Sequence, residues 1–114
     1  MELIAIAIGG FFGSILRFFI GEVVKSIYST FLVNIVGSIL LAVTLYYYIS
    51  EGIPGSIFLM ISLGFCGAFT TFSTFSYEAF QLFTEKKYLA ALVYVASSIT
   101  LSIFVVSLIL LPIL

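Results

Sequence analysis

The run Gly64-Phe65-Cys66-Gly67-Ala68-Phe69-Thr70-Thr71-Phe72-Ser73-Thr74-Phe75-Ser76-Tyr77-Glu78 decides how this chain folds. It sets glycines, a cluster of hydroxyls and the pair Phe72 and Phe75 inside a stretch apolar enough to cross a membrane. Hydrocarbon holds no water to satisfy a loosened backbone or a bare hydroxyl. Polar, irregular structure at that depth survives only inside protein or along a solute path. The run therefore predicts a transmembrane helix broken near 67–71. In transport proteins such breaks bring freed backbone groups to an ion.

The surrounding composition agrees. Of 114 residues, 63% are hydrophobic and 8% charged, and the mean hydropathy is +1.37. Soluble domains have roughly 45–50% apolar and about 25% charged residues, so this reads as a small, all-α integral membrane protein. With no His and one Cys, catalytic His chemistry, Cys/His metal sites and an internal disulfide are excluded. Cys66 reads as a small helix-packing residue. A net charge of −1 without a basic tract argues against nucleic-acid binding. The first apolar run lacks a basic leader and a small-residue cleavage site, so it is expected to stay as a helix.

A span needs about 20 apolar residues, and four windows qualify: about 3–21, 27–49, 56–83 and 88–111. The third is too long for one straight span. The loops between them are short, so neighbouring spans run antiparallel, and the chain 1–114 reads as a single domain without a linker. Pro54 suits the first turn of the third helix, where its missing N–H is not needed. Gly9 and Gly13 form a GxxxG pair, which serves close helix contact either within the bundle or between two chains.

Polar residues draw stripes. Thr30, Asn34 and Ser38 on the second helix, and Tyr94, Ser98 and Ser102 on the fourth, are spaced by four and share one face. Single hydroxyls have a plain alternative, a bond back to the carbonyl four residues earlier. Asn34 has two donors and an acceptor, more than one carbonyl can satisfy, so it needs a partner helix or a wet pathway. The lining offers donors and no cluster of embedded carboxylates, which suits an anion. Phe72 and Phe75 can add the positive edges of their rings, although phenylalanines in a membrane helix also serve lipid or core contact. Arg17, near a helix end, snorkels to the interface or draws anions to a pore mouth. The role of Glu78 stays open.

With those residues in view, the chain resembles the Fluc (CrcB) family of small fluoride channels. Three patches support this: Gly9-Gly10-x-x-Gly13-x-x-x-Arg17, the second-helix run from Thr30 through Asn34 to Gly37-Ser38, and, most specifically, Gly67 to Glu78. Ser14, Phe18, Ser29 and Ile39 depart from the usual pattern without removing a proposed ligand. The resemblance implies a multi-pass protein of a prokaryotic plasma membrane in which two antiparallel chains enclose two fluoride pores. It implies that Asn34, Phe72, Phe75, Ser73, Thr74, Tyr94, Ser98 and Ser102 line each pore, with Arg17 at the mouth. It also implies a structural sodium ion at the dimer centre, held by backbone carbonyls of Gly67 and Thr70. Fluoride trapped in the cytoplasm would leave passively.

Charge in short loops sets orientation. Arg17, Lys25, Lys86 and Lys87 all fall on the side of the first and third loops, and none on the other. That predicts loops one and three in the cytoplasm and both termini outside, a bias that sits badly with an antiparallel homodimer. Either the partner is an oppositely biased chain, or the bias is overridden because Arg17 is membrane-embedded and Lys25 lies near Glu22. Two other functions compete. A four-helix multidrug transporter needs an embedded carboxylate, which mid-depth positions of the first three helices lack. A non-transporting subunit would use the stripes as interhelical glue. No nucleophile–base or metal constellation supports an enzyme.

Overall fold

The computed structural model describes residues 1–24 and 26–113. Lys25, counted above among the loop charges, lies outside the described residues. The chain is all-helical, and four helices are long and apolar enough to cross a membrane.

The first is α1 (Glu2–Val23). The second, α2 (Ile27–Ser50), starts where Ser26 accepts a hydrogen bond from the Tyr28 amide at 3.2 Å. A serine at this position satisfies one of the orphan amides of a first turn. The third span covers Gly55–Thr84 in pieces. Pro54 precedes α3 (Gly55–Leu59), then Met60–Cys66 winds as a π-helix, α4 (Gly67–Phe69) follows, and α5 (Ser73–Thr84) ends the span. Between α4 and α5, Thr70 takes an extended backbone, φ −85° and ψ 163°. The fourth span is α6 (Tyr88–Leu110), with a short 3-10 turn at Leu111–Ile113.

Glycines set how closely these rods approach. Gly9 and Gly13 of α1 are buried against the π-helix: a Cβ on Gly9 would run into the Met60 carbonyl, and one on Gly13 into that of Phe65. Gly64 returns the contact, facing Ile6 and Gly9. The GxxxG pair thus serves contact within the chain. On the other side α2 lies along α6, and α5 packs on both. The small core contains Val33 and Phe69, each 1% exposed, with Ala42, Cys66 and Tyr94. Most large apolar side chains face outward, including Phe11, Phe12, Phe18, Phe19 and Ile103, as lipid contact requires.

A polar cleft at the interruption of the third span

The residues after Phe69 depart from helical pairing because other groups claim their amides. In a continuous helix the Thr71 N–H would bond to the Gly67 carbonyl. Instead it donates to Asn34 Oδ1 at 2.8 Å, and Asn34 Nδ2 donates to the Thr71 carbonyl at 3.0 Å. The Thr74 N–H likewise bonds to the Thr71 hydroxyl at 3.2 Å, so Thr71 caps the first turn of α5. Among the described residues, no backbone amide outside the helices takes up the Gly67 or Thr70 carbonyl. Gly37, one turn after Asn34, lets α2 come this close, since a Cβ there would strike the Thr70 methyl.

A cleft of about 780 Å³ opens beside this point. Asn34, Ser38, Ser62, Thr70, Thr71, Ser98 and Ser102 supply its polar groups, and Gly67, Phe72 and Phe75 also line it. No Asp, Glu, Lys or Arg belongs to the described lining. Several hydroxyls are already engaged: Ser38 donates to the Asn34 carbonyl at 2.8 Å and Thr70 to the Cys66 carbonyl at 2.8 Å, both four residues back. Ser98 differs. It is 6% exposed, and its Oγ has no hydrogen-bond partner among the described residues.

The candidate residues therefore fall into two groups. Asn34, Phe72, Phe75, Ser98, Ser102, Gly67 and Thr70 meet at the cleft. Phe72 is 80% exposed, and its ring centroid lies 6.3 Å from that of Phe75. Ser73, Thr74, Tyr94 and Arg17 are not part of this lining. Ser73 and Thr74 are exposed on α5, Arg17 is exposed on α1, and buried Tyr94 donates to Glu78 Oε1 at 3.0 Å behind the Phe75 ring. Thr71 was missed from sequence. Its signal was available in its spacing from Thr74, a hydroxyl three residues before an amide it can cap.

Four apolar spans, three of which line an uncharged cleft of amide, hydroxyl and ring groups, define a multi-pass membrane protein suited to passing a solute rather than transforming one. A family model described as "CrcB-like protein, Camphor Resistance (CrcB)" matches residues 4–110, and the chain belongs to that family. It is 41% identical over 109 residues to a fluoride-specific ion channel, FluC 2, of Clostridium acetobutylicum, covering 90% of each chain. It is 47% identical over 88 residues to the fluoride-specific ion channel FluC of Methanocaldococcus jannaschii, covering 74% of this chain and 71% of the relative. A FluC of Ignicoccus hospitalis is 38% identical over 110 residues, 93% of this chain and 89% of the other. The family is one of channels, and the chain is not an enzyme.

Proposed function

We propose that this chain is a fluoride-selective channel that lets cytoplasmic fluoride leave down its electrochemical gradient. The observation that carries the reading is the cleft, where a buried hydroxyl without a partner and an amide meet two phenylalanine rings and no fixed charge. A small anion entering hydrocarbon must exchange its water shell for donors. Neutral donors and ring edges offer that exchange without the deep trap a buried cation would set. Release requires such weak, multiple contacts.

The third span acts as a broken transmembrane helix, its non-helical residues 70–72 overlapping the predicted break near 67–71. The cleft is open along one side, and polar groups cannot face acyl chains, so its cover is protein. A second chain lying antiparallel supplies that cover and doubles the pathway. Phe72, Phe75, Asn34, Ser98 and Ser102 act as the ion's contacts. Ser73 and Thr74, exposed on α5, then contact the ion beyond the single-chain cleft, Tyr94 acts on the pathway through the Phe75 ring it backs, and Arg17 raises anion concentration near the mouth.

The Gly67 and Thr70 carbonyls suit a sodium ion, since their helical amides are taken by Asn34 and Thr71. A hard cation takes such oxygen ligands. When bound, sodium supplies a positive charge at the chain–chain contact. The protein's own part is to hold those two carbonyls out of helical pairing.

The test is efflux from liposomes holding the purified protein, followed with fluoride and chloride electrodes. Rapid fluoride loss with retained chloride supports the reading. Equal loss of both ions, or none, refutes it.

A further inference from the structure

We propose that Asn34 is a positioning residue for the cation as well as a contact for the anion. Its side-chain amide clamps the Thr71 backbone and so keeps the Gly67 carbonyl out of the helix. The inference rests on the sodium reading above, and it assigns to one side chain the link between the two ion sites.

The geometry is specific about what Asn34 spends. A carboxamide offers one acceptor oxygen and two N–H donors. Thr71 takes the oxygen at 2.8 Å and one N–H at 3.0 Å. One N–H is left for an ion in the cleft that Asn34 lines. Most of the residue's hydrogen bonding therefore goes to shaping the backbone. This two-point contact needs donor and acceptor at the end of a short stem. Serine is too short to reach, and leucine has neither group. An ionised aspartate keeps the acceptor and loses the donor.

The consequence falls on the carbonyls. With the Thr71 amide held by Asn34, the Gly67 carbonyl loses its helical donor; with the Thr74 amide held by the Thr71 hydroxyl, the Thr70 carbonyl loses its own. Two separate devices expose two oxygens. Gly37 is the third component, because a methyl there would push Thr70 away from α2. Release of the clamp leaves the Thr71 peptide without its fixed partner, so the Gly67 carbonyl is no longer held in place for the cation.

Purified dimer decides this with two readouts besides flux. One is thermal unfolding across a sodium series balanced with N-methylglucamine. The other is hydrogen–deuterium exchange of the peptide covering 67–74. Asn34→Leu and Asn34→Ser are expected to raise the half-saturating sodium concentration by roughly tenfold or more and to speed exchange in that peptide. Asn34→Asp keeps the acceptor for the Thr71 amide but sets an oxygen against the Thr71 carbonyl, so it is expected to fall between wild type and Asn34→Leu in exchange and sodium response while losing fluoride flux. Thr71→Val should weaken the sodium response through the other carbonyl. Wild-type sodium response and exchange in Asn34→Leu or Asn34→Ser, with flux alone reduced, overturn the proposal. A wild-type protein indifferent to sodium removes the cation reading instead. The exchange comparison then decides the clamp by itself: unchanged exchange in both Asn34 variants refutes it, and faster exchange upholds it.

Discussion

At the scale of single residues, Ser98 gives the sharpest distinction between a group kept for stability and one kept for passage. A buried hydroxyl without a partner costs about 1–3 kcal/mol, and Ser98 Oγ has none among the described residues. Ser98→Ala is expected to raise the unfolding temperature, or leave it unchanged, while lowering fluoride flux. A melting curve beside an efflux trace checks this, and lost stability with normal flux would show a structural hydroxyl. The rings make the complementary case. Phe72 is mostly exposed and adds little to the subunit core. Phe72→Ile should therefore fold normally while slowing fluoride by roughly tenfold, the equivalent of about 1.4 kcal/mol of barrier. Much of this was legible beforehand. A lone Asn in an apolar helix demands partners, and the Asn34 side chain makes two hydrogen bonds, both to the Thr71 backbone. The hydroxyls were less legible, since a serine spaced by four looks the same whether it bonds back, as Ser38 does, or stays unpaired, as Ser98 does.

At the scale of elements, glycines separate contacts inside the chain from contacts beyond it. A Cβ on Gly13 meets the backbone carbonyl of Phe65, which cannot rotate away, and one on Gly37 meets the Thr70 side chain. Overpacking of this kind costs about 1–3 kcal/mol, so Gly13→Ala should lower the yield of folded protein more than Gly37→Ala. Gly67 is the informative contrast, because a Cβ there meets nothing within 4 Å among the described residues. Gly67→Ala should leave the subunit intact yet reduce the dimer fraction counted by single-molecule photobleaching. A fully dimeric Gly67→Ala protein would place the chain–chain contact elsewhere. Hydropathy made four spans legible because each is long, apolar and bounded by charge or Pro. The π-helix at Met60–Cys66 was not legible. Its wider winding accompanies close backbone approach by α1, a tertiary effect that leaves no periodic trace in so uniformly apolar a stretch.

At the scale of the whole molecule, length and charge together set the orientation problem. The chain extends 48 Å along its longest axis, comparable to a bilayer of about 40–45 Å with its headgroups. Its basic residues gather at one end of that axis in sequence terms, four against none. The turn after α5 carries two of them. Lys86 sits at φ 62°, closing α5 with its amide on the Phe83 carbonyl while the Lys87 amide reaches Leu82. Glycine is the usual residue there, and a side chain in this left-handed region costs about 1–2 kcal/mol. Lys86→Gly is thus expected to firm the cap while removing one loop charge. Lys87 lies 3.6 Å from Glu85 in an exposed pair, too weak an attraction to hide its charge from the insertion machinery. Where the loop charges govern, C-terminal alkaline phosphatase fusions are active outside a bacterial host and C-terminal fluorescent fusions dark inside; where Arg17 is embedded and Lys25 is offset by Glu22, both fusions report. Replacing Lys86 and Lys87 with Gln and adding two Arg beside Glu51 should reverse both signals. Strong signal from both reporters on the unaltered chain would establish dual insertion and free it to pair with itself. Signal from the outside reporter alone obliges the antiparallel partner to be a different chain of opposite charge bias.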